Sequence, residues 1–158
     1  MPGRYYEEFA VDEVIVHAPE HTVTQDANAT FCRLTLNNQP LHLDEEAARE
    51  GPYDKLLVNG LLTFSLGVGM SVEDLTVGTL IANLAYAKVE HPKPVFPGDT
   101  LRARSKVLSK RRTSKKERGL VRLATEVLNH HDNVVCRFER TVLVQVRDPE
   151  QEEEAEAS

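Results

Sequence analysis

The chain has 158 residues, of which 41% are hydrophobic, enough for one domain with a buried core. Its formal net charge of −6 comes from the last eleven residues, which hold six acidic side chains and no Lys or Arg, so residues 1 to 147 are neutral on balance. A neutral body argues against nucleic acid as a partner, and the absence of an apolar stretch of about 18 residues argues against a membrane span.

The two ends of the sequence differ from its body. The start, Met1 to Glu8, has no hydrophobic signal region, which predicts a cytoplasmic location. Residues 148–158 combine a charge run with no aromatic or β-branched residue, so we expect a disordered acidic tail. Residues 1–147 are the predicted folded domain.

The first part of the domain is predicted to form a strand followed by short helices. Residues 11–24 alternate apolar and polar side chains, which indicates an early strand. Asp26 is the predicted N-cap of a helix over Ala27 to Leu34. A second short helix is predicted to begin at Asp44, with acidic residues in its first turn, and to be stopped by Gly51 and Pro52.

The second part begins with an apolar helix and continues as strands. Val58 to Val72 is apolar and rich in small residues, which predicts a buried, closely packed helix. Four runs rich in Val, Leu and Thr follow it, separated by turn signals: 80–89, 100–109, 120–128 and 134–146. This order predicts an α+β fold in which an antiparallel sheet wraps around one helix.

Isolated cysteines and a basic cluster complete the composition. Cys32 and Cys136 lack metal or disulfide spacing and are predicted to be reduced packing residues. No histidine belongs to a metal-ligand pattern such as HExxH, so we predict no metal. The basic run from Lys106 to Arg118 is either a solvated hairpin or, for Lys110 to Arg118, a landing site for phosphate groups.

The loop between the predicted helices carries a motif. Asn37-Asn38-Gln39-Pro40-Leu41-His42 is followed by Asn59-Gly60, with Gly60 eighteen residues after His42. This resembles the motif of the MaoC-like hot-dog enoyl-CoA hydratases, Asp-x-Asn-Pro-Leu-His followed by His-Gly at the head of the central helix. Asn37 stands at the family's Asp, Gln39 at its Asn and Asn59 at its second His. The stretch from Pro94 to Leu101 resembles the family's Pro-Val-x-x-Gly-Asp segment.

The resemblance implies a single hot-dog domain that pairs as a homodimer, or assembles into a higher homo-oligomer, with sites at the subunit interface. It implies a hydratase or dehydratase acting on an acyl-CoA thioester, in which coenzyme A is part of the substrate and no separate cofactor is needed. The variants Asn-x-Gln-Pro-Leu-His and Leu-Val-Asn-Gly resemble a branch linked to mesaconyl-CoA and β-methylmalyl-CoA.

The resemblance also assigns roles to residues. In the family, the Asp and the His hold the water and transfer its protons, and the N–H of the glycine that opens the helix meets the thioester oxygen. His42 and Gly60 would therefore be catalytic, because histidine ordinarily titrates near neutrality and a helix N-terminus favours negative charge. Gly60 has an alternative role, in which it only allows close packing of the helix.

Asn37 has two interpretations. An amide cannot accept a proton, so the loss of a general base would cost on the order of 10²- to 10⁴-fold in rate and would favour a protein that is not a hydratase. Alternatively, removing the negative charge makes room for a substrate with its own carboxylate, because two close carboxylates resist joint ionisation. We favour the second interpretation, in which Asn37 positions water or a dicarboxylic thioester and His42 transfers the protons.

The remaining site residues are open to more than one role. Gln39, Asn59 and Ser65 are the predicted substrate-binding residues. Asn59 either binds a substrate carboxylate or caps the helix, and Ser65 either lines the acyl pocket or is a packed small residue. Asp44 is predicted to be an N-cap and not a replacement for the missing carboxylate.

Two other function classes remain. A thioesterase would polarise a thioester at the same helix N-terminus, but such enzymes place an acidic residue beside it, and residues 58–71 contain none. A non-catalytic acyl-CoA binding protein is the second alternative, and it is motivated by Asn37.

Overall fold

The computed structural model describes residues 3–148. Apart from Asp148, the predicted acidic tail lies outside these residues. The elements, in chain order, are β1 (Val14–Thr22), α1 (Gln25–Leu34), α2 (Pro40–Leu43), α3 (Glu45–Arg49), α4 (Gly60–Leu75), β2 (Leu80–Glu90), β3 (Thr100–Arg112), β4 (Arg118–Leu128) and β5 (Val134–Gln145), with a 3₁₀ turn over Tyr6–Glu8 before them.

The strands form one antiparallel sheet in the order β1-β3-β4-β5-β2. Side chains alternate along β3, β4 and β5, so one face of the sheet is buried against α4. Gly67 shows how closely the helix approaches, because a Cβ there would lie 2.5 Å from Val127 Cγ2. The predicted α+β arrangement, a single hot-dog domain with its sheet wrapped around one helix, is confirmed.

The core divides into two clusters along α4. Val58, Leu62 and Leu101 belong to the cluster at the Gly60 end. Leu75 and Phe9 belong to the cluster at the opposite end. Because α4 has 16 residues, these ends are about 24 Å apart at 1.5 Å per residue.

The structure corrects two predicted helix boundaries. Thr24, and not Asp26, caps α1, because Thr24 has extended backbone angles and its Oγ1 accepts from the Ala27 N–H at 3.1 Å. Asp26 lies within the first turn, where its negative charge interacts favourably with the positive end of the helix dipole. The predicted helix over 58–72 begins at Gly60 and ends at Leu75.

The basic run forms the far half of the β3–β4 hairpin. Lys110 Nζ lies 4.7 Å from the centre of the Tyr6 ring, and Tyr6 packs in the cluster that contains Leu75. Within one chain, the hairpin therefore lies at the end of α4 opposite Gly60. The predicted hairpin is confirmed, and within one chain the geometry gives no support to a phosphate site beside Gly60.

Both cysteines are buried and free, as predicted. Burial raises the pKa of the Cys136 thiol to about 11, which keeps it protonated at neutral pH. Among residues 3–148, no helix is long and apolar enough to cross a membrane, and no group of three or more His, Cys, Asp or Glu side chains is arranged to hold a metal ion.

Candidate functional site

The motif loop folds into a single helical turn that the sequence did not reveal. Pro40 occupies the first turn of α2, where its missing N–H costs nothing, and its fixed φ suits the helix. His42 is the third of the four residues of this turn and is half-buried. The next helix, α3, begins directly afterwards, and Asp44 Oδ1 caps it by accepting from the Glu46 and Ala47 N–H groups at 2.9 and 3.2 Å. The predicted cap role of Asp44 is confirmed.

His42 is held in one tautomer. Its Nδ1 lies 2.8 Å from the carbonyl oxygen of Leu57. Because a carbonyl oxygen can only accept, Nδ1 must carry the proton. Nε2 of the neutral ring is then an acceptor, and it has no partner among the described residues. The imidazole therefore has the fixed orientation and the available acceptor that a candidate general base needs.

Asn28 joins the His42 loop to the segment that leads into α4. It is fully buried, and its Nδ2 donates to Leu57 O at 2.9 Å and to His42 O at 3.3 Å. Its Oδ1 accepts from the Asn59 N–H at 2.9 Å. Since donor and acceptor each face a partner of the opposite kind, the amide orientation is unambiguous. Asn28 therefore fixes His42 relative to the start of α4.

One backbone N–H at the N-terminus of α4 has no hydrogen-bond acceptor among residues 3–148. Asn59 is 3% exposed and caps the helix, with its Oδ1 accepting from the Leu61 N–H at 3.0 Å. The Asn59 carbonyl accepts from Leu62 and Thr63. Within residues 3–148, the Gly60 N–H donates to no acceptor. This leaves a donor at the positive end of the helix dipole, as an oxyanion site requires.

Asn37 has a side-chain donor that is available to a ligand. Its Oδ1 accepts from the Gln39 N–H at 3.1 Å, while its Nδ2 has no partner in the described part of the chain. Gln39 caps α2 through its backbone, and its exposed side chain makes no hydrogen bond within those residues. The arrangement suits contact with a water oxygen or a carboxylate. Substrate contact by Gln39 stays a prediction.

The cleft beside Gly60 has a volume of about 330 Å³, and it includes residues that no sequence motif had singled out. Thr63 and His91 line it together with Gly60. The His91 imidazole covers Gly60 so closely that a Cβ there would lie 3.0 Å from its Cε1. Gly60 thus combines the close packing and the available N–H that its two alternative roles require.

The side chains of two predicted substrate-binding residues, Asn59 and Ser65, make hydrogen bonds within this chain. Asn59 uses its side-chain oxygen as the helix cap and directs its Nδ2 toward Cys32 Sγ at 3.6 Å. Ser65 is exposed, donates to Leu61 O at 2.7 Å, and borders a separate depression with His21. The structure does not bring Ser65 to the cleft at Gly60, and a substrate contact by either residue stays a prediction.

A second polar cluster lies near the other end of α4. His17 Nδ1 is 2.9 Å from Asp74 Oδ2, and its Nε2 is 2.8 Å from Ser105 Oγ, which in turn is 2.8 Å from Thr125 Oγ1. The Asp74 carboxylate can only accept, so Nδ1 carries the proton and donates to it; Ser105 then donates to Nε2, and Thr125 donates to Ser105. Ser105 is 0% exposed, so this Ser-His-Asp geometry is structural. Burial lowers the pKa of His17, and the hydrogen bond to Asp74 opposes that effect.

The chain is similar to known proteins along most of its length. It is 36% identical over 146 residues to the mesaconyl-CoA hydratase of Cereibacter sphaeroides, covering 92% of this chain and 42% of that protein. It is 32% identical over 148 residues to the β-methylmalyl-CoA dehydratase of Chloroflexus aurantiacus, covering 94% of this chain and 42% of that protein. This chain thus spans less than half the length of either relative.

Solved structures and family models agree with this similarity. A crystal structure of a MaoC domain protein dehydratase from Chloroflexus aurantiacus superposes with a TM-score of 0.89 at 32% identity, covering 94% of this chain and 42% of that chain. Residues 8–129 match the family model described as MaoC like domain. With its motif loop, its central helix and most of its length accounted for, the chain belongs to the MaoC-like domain family.

Proposed function

We propose that this chain is a carbon-oxygen lyase that adds water to an α,β-unsaturated acyl-CoA thioester, or removes it from the 3-hydroxy form. The substrate is a branched dicarboxylic thioester of the mesaconyl-CoA and β-methylmalyl-CoA type. The observation that carries the proposal is the hydrogen bond from His42 Nδ1 to Leu57 O, which leaves Nε2 as an acceptor. The names of the two relatives support the substrate class.

The residues present can perform the reaction with one base. His42 Nε2 takes a proton from water while the water oxygen bonds to C3, and the C2=C3 electron pair moves toward the thioester oxygen. The Gly60 N–H stabilises the charge that develops there. The His42 imidazolium then returns the proton to C2, which restores the thioester and the neutral ring. One water is added, and no carboxylate base is required.

Asn37 fits this scheme as an orienting group. Because its Oδ1 is engaged by the Gln39 N–H, the amide offers its Nδ2 donor. A donor holds the water oxygen with its lone pairs available, or it pairs with a substrate carboxylate that an Asp would repel.

The experiment is a spectrophotometric assay of the purified chain with mesaconyl-CoA and crotonyl-CoA. His42→Ala should lower turnover on the order of 10²- to 10⁴-fold. The variant should still fold, because Asn28 Nδ2 continues to satisfy Leu57 O. His130→Ala, an exposed histidine on the β4–β5 turn, is the matched control. Preference for crotonyl-CoA would contradict the dicarboxylic substrate but would support the hydratase reaction.

Binding separates the hydratase from the non-catalytic alternative. In a hydratase, His42→Ala loses far more turnover than affinity for the thioester. No turnover in the wild-type chain, with tight thioester binding, would contradict the lyase and leave a binding protein.

The free edge of β2 supports a homodimer as the assembly of this chain. β2 is the last strand of the sheet and carries Ile81, Leu84 and Tyr86 with 37%, 54% and 42% of their surface exposed. The other edge strand, β1, contains Pro19, which cannot donate to a ladder. A second copy pairing along β2 would cover these apolar side chains.

Light scattering after gel filtration tests this assembly. The wild-type chain should run as a dimer, and Leu84→Lys should run as a monomer. Val16→Lys makes the same type of change at the β1 edge, where Val16 is 71% exposed, and it should leave the dimer intact. A wild-type monomer at high concentration would contradict the homodimer.

A further inference from the structure

We propose that the cleft lined by Gly60, Thr63, His91 and Lys93 binds the free carboxylate of a dicarboxylic acyl-CoA. This inference rests on the proposed function, because it takes Gly60 as the landing point of the thioester. It adds the place, and the residues, that recognise the second acidic group of the substrate, which leaves Asn37 to orient the water.

The charges around the cleft favour an anion. Its polar lining consists of Tyr53, Thr63, His91 and Lys93, and none of the described residues that line it is Asp or Glu. The N-terminus of a 16-residue helix opens into it, which adds the positive end of the helix dipole. The larger neighbouring cleft, of about 440 Å³, is lined by three carboxylates as well as two cations, and it suits a second anion less well.

Thr63 supplies the most direct indication of a ligand. Its side chain is 1% exposed, and its Oγ1 is buried without a hydrogen-bond partner among residues 3–148. A buried hydroxyl without a partner costs about 1–3 kcal/mol, so a group that pairs with it removes that cost. Because Thr63 lines the cleft, a carboxylate oxygen bound there can accept from it.

His91 and Lys93 complete the recognition from the β2–β3 loop. The His91 ring packs on Gly60 and makes no hydrogen bond to the described residues. Lys93 Nζ donates to Asn133 Oδ1 at 2.9 Å and pairs with no carboxylate in that part of the chain. A substrate carboxylate would therefore meet an imidazole and an ammonium group without displacing an existing ion pair.

The dimensions and the apolar wall fit a short branched acyl group. Gly60 and Thr63 are three residues apart, about 4.5 Å along the helix at 1.5 Å per residue, which is of the order of the separation of the two carbonyl carbons in a four-carbon diacid. Val58, Val95 and Val135 line the same cleft and can contact a methyl branch.

The test compares saturated four-carbon thioesters that cannot be hydrated. Calorimetric titration of the full chain with succinyl-CoA and butyryl-CoA should show a preference for succinyl-CoA of about tenfold or more, the size expected for a charge-assisted hydrogen bond. Lys93→Met and Thr63→Val should each reduce that preference severalfold. Lys106→Met, which removes a lysine paired with Asp12 away from the cleft, should retain it.

Each outcome decides the question. Equal wild-type affinities, or a preference unchanged in both Lys93→Met and Thr63→Val, would overturn the carboxylate site. Thr63→Val is nearly isosteric and removes a hydroxyl that has no partner, so we expect it to fold. A succinyl-CoA preference that falls in both variants, in a chain that hydrates no enoyl thioester, would support the site while refuting the proposed function.

Discussion

At the Leu75 end of α4, the N-terminal segment closes the helix with backbone hydrogen bonds, whereas at the Gly60 end the first N–H has no acceptor within residues 3–148. Gly3 N–H donates to Val77 O, and Arg4 N–H donates to Leu75 O at 2.9 Å. Phe9 packs over that end. One end of the helix is thus sealed, and the other, the reactive end of the proposed mechanism, keeps a donor available.

A histidine stands near each end, and the two are held in the same way at Nδ1 and differently at Nε2. His17 donates to Asp74 and accepts from Ser105, so both ring nitrogens are engaged. His42 donates to Leu57 O and keeps Nε2 available. The second nitrogen, and not the fixed orientation, therefore separates a structural histidine from a candidate base.

Phe9→Ala should lower stability through the sealed end of α4 and leave turnover at the reactive end unchanged. Phe9 is 1% exposed in the cluster around Leu75, so its truncation should lower the free energy of unfolding by about 3–5 kcal/mol. Urea unfolding measures this loss. Turnover per folded molecule should not change, because Gly60 lies about 24 Å away along the helix. A fall in kcat in fully folded protein would show that the two ends are coupled.

Asn28→Ala should affect both stability and chemistry at the reactive end. The change leaves the buried Asn59 N–H without its acceptor, which costs about 1–3 kcal/mol of unfolding free energy. It also removes one of the two donors on Leu57 O, so His42 is held less firmly. We expect kcat to fall more than KM changes.

The exposed Asn38 of the motif loop provides the control for this prediction. Asn38→Ala removes an exposed amide from the same loop and should leave both quantities near the wild-type values. If Asn28→Ala lowers stability but leaves kcat unchanged, Asn28 supports the fold alone, and His42 does not depend on it for its position.

Local sequence signals predicted most of the elements and one of the caps. The sheet strands after α4 follow from runs of β-branched residues, and Asp44 precedes an acid-rich turn that it caps in the structure. Thr24 and Asp26 show the limit of this approach, because both are good cap residues and only the backbone angles distinguish them.

The reactive end could be predicted only in part. His42 and Gly60 stand out through a contiguous motif and a fixed interval. Asn28, which holds these two residues in place, does not stand out in the sequence. It forms hydrogen bonds to residues 14 to 31 positions away, and such pairings leave no local pattern. His91 likewise contacts Gly60 only because the β2–β3 loop folds over the helix N-terminus.

Asn59→Ala tests the cap that leaves the Gly60 N–H free. Losing Oδ1 removes the acceptor for the Leu61 N–H, and we expect a loss of about 1 kcal/mol in unfolding free energy. Asn59→Ser retains a capping oxygen and should recover most of it, as measured by urea unfolding. Equal losses in the two variants would assign the effect to packing against Cys32 instead of to the cap.

His17 should make the stability depend on pH, and this prediction sharpens the contrast with His42. Burial lowers its pKa below the ordinary 6.5, with the Arg4 charge adding to that effect and Asp74 opposing it. Between the folded and unfolded pKa values, the unfolded chain binds more protons, so stability rises with pH. The contribution is present above about pH 6.5 and is lost as the pH falls through that window.

Urea unfolding at a series of pH values between about 5 and 8 measures this slope. His17→Gln, which can still donate to Asp74 and accept from Ser105, should flatten it. The lowered pKa values of Glu13 and Glu139 act only below their ordinary 4.5, so they do not contribute in this range. A slope that persists in His17→Gln would show that another group titrates. The hydrogen bond from Ser105 to His17 Nε2 would then not account for a difference in titration between His17 and His42.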